Sequence, residues 1–221
     1  MIAGGGLSGG LSSTIAGGNF WQGFRQGIIT SGLNHVSHFV QEKFDRSNYD
    51  KLYAQVKKVM GNASEHFSGN PDDMWKLMKQ VPILRKLLNQ LHGAKVWATI
   101  LKDHPLSNGH NGMTQENSDG SISIKIFQKK SDTNIHVALT LGHELRHAIG
   151  IFKGFETVWR GMIKSSAGNI VRNNYAVHQS EVGAYMWSAS YADSQSTYDW
   201  NVNQSNSNMR QANELLKMFG N

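Results

Sequence analysis

Apolar residues recur at helical spacing in several stretches of this chain, and some of these stretches have clear boundaries. Asn70 stands before a proline and two acidic residues, an order that favours the start of a helix. Pro82 is expected to break this helix, which then resumes and stops at Gly93. An earlier helix is predicted near residues 48–60.

Further along, the pattern changes to alternation of apolar and polar residues, which is typical of β-strands. Residues 121–127 alternate cleanly as Ser-Ile-Ser-Ile-Lys-Ile-Phe, and a similar run precedes them near the middle of the chain. The dipeptide Asp119-Gly120 is a turn former directly before the alternating segment. We therefore predict a short antiparallel sheet from about residue 95 to 128.

Helical spacing returns over residues 131–150, where apolar side chains form a broad stripe. Asp132 or Thr133 can cap the first turn of this helix. Gly150 is placed to end it in a left-handed turn.

The C-terminal part of the chain is predicted to contain two helices separated by a loop. The first covers about residues 176–191. The stretch 193–207 is rich in Ser, Asn, Asp and Gln, which favours a loop. The last helix covers about 208–219, where Met, Ala, Leu and Phe share one face.

The helix over 131–150 carries an HExxH motif, formed by His143, Glu144 and His147. Side chains four positions apart lie on the same face of a helix, so both imidazoles can reach one metal ion. Glu144 is then close enough to a water on that metal to accept its proton. The motif predicts a metal site with a glutamate as general base.

Two histidines leave a catalytic zinc site incomplete, because such sites usually take three protein ligands and keep one position for water. A third histidine in the HExxHxxGxxH arrangement is excluded, since Lys153 stands at its position. Glu181, on the helix over 176–191, is the better candidate. His178 and Glu156 are the alternatives.

Other polar side chains of the same region are candidates for stabilising an oxyanion. His178 is one, and it can equally replace Glu181 as the third metal ligand or be a surface residue. Tyr185 is the preferred tyrosine donor, with Tyr175 and Tyr191 as alternatives. If the strand over 121–127 lies at the edge of the sheet, it could hold an extended peptide.

Residues 120–185 resemble a gluzincin-type zincin metallopeptidase: an alternating strand, an HExxH helix and a downstream helix with a glutamate. The resemblance implies an α+β, mostly helical domain over 45–221, with a small antiparallel sheet before the active-site helix. It also implies one Zn²⁺ per chain, held by His143, His147 and Glu181. The implied activity is hydrolysis of peptide bonds in a protein or peptide substrate.

Residues 1–44 form a glycine-rich segment, and within it about residues 3–38 resemble the junction before the C-terminal toxin of bacterial Rhs-type polymorphic toxins. The resemblance implies a toxin that is part of a longer delivery polypeptide, with a cognate immunity protein as partner. The N-terminus lacks the basic and apolar regions of a signal peptide. We therefore expect secretion or delivery into a target cell by a specialised route.

Composition and charge exclude several kinds of site and partner. The chain has 221 residues and no cysteine, which excludes disulfides and cysteine-ligated metal. Its basic residues are dispersed despite a net charge of +6, and no nucleic-acid motif occurs, so no nucleic-acid partner is expected. No run of 18 apolar residues occurs either, so no transmembrane helix is predicted.

Three other functions stay open on the sequence. A zinc amidase acting on cell-wall peptides would use the same water chemistry. A non-enzymatic interaction module with a degenerate HExxH motif would bind no stoichiometric zinc and would tolerate Glu144→Gln. A toxin acting on nucleic acids is favoured only by the positive charge and the abundant histidine, and its binding would be salt-sensitive.

Overall fold

The computed structural model describes residues 44–102, 104–108 and 110–220, so the glycine-rich segment predicted over 1–44 lies outside it except for Phe44. Seven α-helices and three strands are described there. In chain order they are α1 Ser47–Met60, α2 Pro71–Gln80, α3 Pro82–Leu88, β1 Val96–Lys102, β2 Gly112–Glu116, β3 Ile122–Gln128, α4 Asn134–Phe152, α5 Phe155–Gly161, α6 Gly168–Ser190 and α7 Gln195–Phe219.

The predicted fold class is confirmed: the domain is mostly helical, with a small sheet before the helix that carries the histidines. The sheet itself is mixed, however, and not antiparallel throughout. Its order is β1-β3-β2, with β1 parallel and β2 antiparallel to β3. Alternation along a strand indicates which side chains share a face but not which strands pair. The sequence pattern therefore could not predict the parallel pairing of β1 with β3.

The central position of β3 corrects a second expectation. The strand predicted over 121–127 is paired on both sides, so it cannot accept a peptide along its edge. β1 and β2 occupy the two edges of the sheet instead, and β2 is the edge strand that contacts α4. Two residues of β2 stand opposite buried residues of β3: Thr114 pairs with Ile124, and Gly112 pairs with Ile126.

One core holds the sheet and α4 together. Ile122, Ile124 and Ile126 alternate along β3 and point into this core, which also contains the apolar stripe of α4. The first three helices cover it from the other side. Its fully buried members include Leu52, Val56, Phe67, Met74, Leu77, Met78, Leu84, Ala138, Leu141, Leu145 and Ala148.

The helix starts follow the sequence closely because caps are local. The Asn70 side chain accepts a hydrogen bond from the Asp72 amide at 2.9 Å, and Pro82 separates α2 from α3. Thr133 caps α4 in a reciprocal arrangement with His136. Gly93 lies in the left-handed region, with a φ of 91°.

The helix ends agree less well with the predictions from the sequence. α4 continues through Gly150 to Phe152, and the left-handed residue that follows is Gly154, with a φ of 71°. Gly150 is buried, and the packing of the last turn of α4 holds it in the helix. The prediction of a helix end at Gly150 is therefore wrong by one turn.

The predicted loop over 193–207 is also wrong, because α7 begins at Gln195 and runs to Phe219. Ser194 caps it by accepting from the Thr197 amide at 3.2 Å. α7 packs along α6, and Ser205 donates to the Val182 carbonyl at 3.2 Å. Tertiary packing thus makes a helix from a stretch of low helix propensity.

The length and hydropathy of the helices in the described part of the chain bear on the membrane question. None of them is both long enough and apolar enough to span a bilayer.

Candidate metal centre

His143, His147 and Glu181 meet between α4 and α6, where one ligand atom from each lies within 4.8 Å of the others. The two histidine Nε2 atoms are 3.2 Å apart. Glu181 Oε2 lies 3.6 Å from His143 Nε2 and 3.7 Å from His147 Nε2. All three residues named as metal ligands from the sequence are therefore brought together.

A close approach between α4 and α6 makes this meeting possible. The Trp187 ring of α6 lies directly over Gly142, where any Cβ would collide with it. Glycine is thus required at the position before His143, because it lets the indole pack against the helix backbone. The neighbouring side chain, Ser188, then reaches His143 across the helix interface.

Ser188 determines which nitrogen of His143 carries the proton. Its hydroxyl lies 3.0 Å from His143 Nδ1, and it also donates to the Ala184 carbonyl at 3.2 Å. A serine hydroxyl has a single proton. Since that proton goes to the carbonyl, His143 Nδ1–H donates to the serine, and the lone pair of Nε2 faces Glu181.

His147 has an equivalent partner in Ser180, the residue directly before Glu181. Its Nδ1 lies 2.7 Å from the Ser180 hydroxyl. Burial lowers the pKa of His147 to about 4, so the imidazole is neutral at pH 7. Neutral imidazole is the form that binds a metal ion, and no proton need be displaced from it at neutral pH.

Glu181 fits a metal ligand for a different reason. Its Oε2 atom is buried without a hydrogen-bond partner, although it faces the two imidazoles. A buried, unpaired carboxylate oxygen facing two imidazole nitrogens is suited to share a cation with them.

Glu144 lies on the inner side of the same helix, against strand β2. Thr114 donates to Glu144 Oε2 at 2.7 Å. A Cβ at Gly112 would lie 2.7 Å from Glu144 Oε1, so β2 approaches closely only because glycine is there. Burial raises the pKa of Glu144 to about 7, against the opposing effects of His143 and Thr114. A carboxyl with this pKa can accept and return a proton near neutral pH.

Two further predicted residues lie one helical turn on either side of Glu181. The Tyr185 ring meets the His143 ring edge-on, with centroids 5.1 Å apart. Burial, with the charges of Glu181 and Glu144, raises the pKa of Tyr185, which keeps its hydroxyl a hydrogen-bond donor. His178 Nδ1 lies 2.8 Å from Asn208 Oδ1, a contact that sets the direction of its ring.

The remaining candidates have other contacts. Glu156 forms an ion pair with Arg160 at 2.7 Å and is not a member of the three-residue cluster. Tyr175 is buried in the core, and its hydroxyl contacts Met162 Sδ at 3.4 Å. Tyr191 stacks on a tryptophan near the end of α6.

Several residues at the site were missed from the sequence. Thr114 comes from the β-sheet and Asn208 from the start of the predicted last helix. Trp200, whose ring centroid is 5.7 Å from that of Tyr185, comes from the predicted loop before it. The spacing of Trp200 and Asn208, eight positions apart, could have indicated a common helix flank.

The chain was compared with protein-family models, with curated proteins and with solved structures, and none of them matches it. The His143, His147 and Glu181 cluster on α4 and α6 is consistent with an HExxH-type site. The likeness to zincins therefore rests on the motif and on this geometry.

Proposed function

We propose that this protein is a zinc-dependent hydrolase that cleaves peptide bonds. The observation that carries the proposal is the gathering of three ligand atoms within 4.8 Å, beside the buried Glu144. His143, His147 and Glu181 would hold the ion. When bound, zinc supplies Lewis acidity, which makes water a competent nucleophile near neutral pH.

The protein's own residues perform the proton transfers. Glu144, held by the Thr114 hydroxyl, accepts a proton from the attacking water and returns it to the leaving amine. Tyr185 would donate a hydrogen bond to the carbonyl oxygen as negative charge develops there. His178 Nδ1 is already bonded to Asn208 Oδ1, so a proton on Nε2 would make its ring the second donor. Both residues lie on α6, whereas Glu144 is held by strand β2.

The edge of β2 supports a peptide as the substrate. The Phe127 amide donates to the Asn111 carbonyl, so in an antiparallel ladder the alternate residues Gly112, Thr114 and Glu116 turn their backbone groups away from β3. These groups can pair with an extended peptide. The strand that bonds the peptide is thus the one whose side chain holds the general base.

The edge-strand hypothesis is tested with Glu116→Pro, which removes one outward backbone N–H, and with Glu116→Ala as its matched control. We expect the proline variant to raise KM for long peptides several-fold, while the alanine variant keeps it. Equal KM values for the two variants, at equal zinc content, would contradict binding along β2.

The proposed activity is tested by zinc content and cleavage together. Elemental analysis of zinc-loaded protein is expected to give about one ion per chain, a loss in His143→Ala and a weaker affinity in Glu181→Ala. Glu144→Gln is expected to keep its zinc but to cleave a peptide library, followed by mass spectrometry, at least a hundredfold more slowly. Absence of bound zinc, or unchanged cleavage by Glu144→Gln, would refute the proposal.

The biological setting of this activity is a further part of the proposal. The glycine-rich segment supports delivery of the domain as a bacterial toxin that an immunity protein neutralises. Induced expression in a bacterial cytoplasm or periplasm should arrest growth in one compartment, whereas Glu144→Gln should not. Normal growth in both compartments, with active protein present, would contradict a toxic role.

A further inference from the structure

The flank of α7 beside the metal centre carries Trp200 and Asn208, about two turns apart on the same side of the helix. Each of them contacts an α6 residue next to Glu181: Trp200 touches Tyr185, and Asn208 touches His178. This flank therefore forms a second wall along the predicted substrate side of α6.

Three aromatic rings lie in a row from the solvent to a metal ligand: Trp200, Tyr185 and His143. The ring centroids of Trp200 and Tyr185 are 5.7 Å apart, and those of Tyr185 and His143 are 5.1 Å apart. Only one ring thus separates the indole from a predicted zinc ligand. A substrate group next to the scissile bond would lie within reach of this row of rings.

Trp200 stays 55% exposed although the opposite side of α7 is buried against α6. Exposure alone is ordinary for a single apolar residue. Trp97, for example, is 54% exposed on β1. The ring contact with Tyr185 beside the metal centre distinguishes Trp200 from Trp97.

The geometry of the two rings favours a planar partner. Trp200 and Tyr185 meet at an interplanar angle of 78°, so together they form a corner. A third ring entering this corner can stack on the face of one ring while its own edge meets the face of the other, and both arrangements are favourable. An aliphatic side chain would gain the apolar contact but not the ring geometry.

We propose that Trp200 and Tyr185 form an aromatic wall that binds a planar, apolar side chain of the substrate next to the scissile bond. The inference rests on the proposed function and names the substrate class of that same site. The preferred substrates are peptides with a phenylalanine, tyrosine or tryptophan at this position.

Amino-acid hydroxamates test the wall without any cleavage. The hydroxamate group binds zinc irrespective of the side chain, so the ratio of two affinities isolates the contribution of the side chain. Isothermal titration of zinc-loaded protein should show phenylalanine hydroxamate binding roughly tenfold tighter than alanine hydroxamate. Leucine hydroxamate, which matches the bulk but is not planar, should lie between them.

The variants assign the preference to the wall. Trp200→Ala should reduce the phenylalanine-to-alanine ratio to below threefold, and Trp200→Phe should retain part of it. Trp97→Ala, which removes an equally exposed indole from strand β1, should keep the full ratio. Each variant is titrated at equal zinc content, so a folding defect is visible before the ratios are compared.

Two results would overturn the wall: equal affinities for the three hydroxamates in the natural protein, or a ratio that survives in Trp200→Ala. A different failure points to the proposed function. If protein with one zinc per chain binds no hydroxamate at all, the metal is inaccessible to substrate, and both the hydrolase and the wall are refuted.

Discussion

Ser188 shows how one hydroxyl prepares a metal ligand at the scale of a single residue. Because its proton is donated to the Ala184 carbonyl, the hydroxyl can only accept from His143 Nδ1–H. Fixing the proton on Nδ1 leaves the Nε2 lone pair available for the ion. Residues that orient histidine ligands in this way typically change metal affinity by 10- to 100-fold when they are removed.

We therefore predict that Ser188→Ala weakens zinc binding by about 10- to 100-fold in competition with a chromogenic chelator. Ser190→Ala is the matched control, since Ser190 donates to the Met186 carbonyl in the same way and, among the described residues, forms no hydrogen bond with a histidine. Ser188→Thr, which keeps the hydroxyl, should restore most of the affinity. Equal zinc affinities for the two alanine variants would contradict the role of Ser188.

Glu144 makes a second prediction at this scale, for the metal-free protein. Its pKa is about 7 in the folded state against 4.5 for an exposed carboxyl. The folded state therefore binds the proton more tightly, and this stabilisation is complete below pH 4.5 and lost as the pH rises through 7. Above that pH, folding must bury a carboxylate.

Glu144→Gln removes this ionisation while keeping an acceptor for Thr114. Both proteins are measured without metal, in the presence of a chelator. We expect the free energy of unfolding of the variant to equal that of the natural protein near pH 5 and to exceed it at pH 8. A gain of roughly 3 kcal/mol is the upper range for a shift of this size. Urea unfolding at both pH values measures it, and a difference that does not grow with pH would contradict the assignment.

At the scale of secondary-structure elements, the contact between α4 and α6 decides whether the ligands can meet. Gly142 and Trp187 form the closest point of this contact. A methyl group there would force the indole away and separate the helices, since a packed interface has no space for it.

Gly142→Ala is thus predicted to lower the free energy of unfolding by about 1–3 kcal/mol or more. It should also weaken zinc binding, because Ser188 and Glu181 lie on the displaced helix. Gly161→Ala is the control, since no atom lies within 4 Å of a Cβ at that position. Thermal unfolding and zinc titration of both variants check this prediction, and equal values for them would contradict it.

At the scale of the whole molecule, the ion would join two helices that are far apart in sequence. His143 and His147 lie on α4, which is part of the main core, and Glu181 lies on α6. A ligand that binds only the folded state stabilises it by mass action, by about 4 kcal/mol at a thousandfold excess over Kd.

Removal of zinc with a chelator is therefore expected to lower the melting temperature by several degrees in the natural protein. His143→Ala should melt at one temperature with or without the chelator. Differential scanning calorimetry checks both, and an equal chelator effect on the two proteins would show that the ion binds elsewhere.

The sequence by itself determined the features whose causes are local. The start of α2 at Asn70, the Thr133 cap and the four-residue spacing of His143 and His147 depend on neighbours within one helical turn. Glu181 could be named because the predicted helix around it resembles the second helix of gluzincin-type metallopeptidases, in which a glutamate completes the metal site. These features place the candidate site on α4 and α6.

Only the tertiary structure decided the features that depend on distant packing. Alternation predicted the strands, but the edge position of β2, and with it the contact of Thr114 with Glu144, follows from pairing between strands. The polar stretch around Trp200 forms a helix because α6 packs against it, and its local propensity favoured a loop. Long-range burial outweighed local preference at both places, and sequence patterns report only the local term.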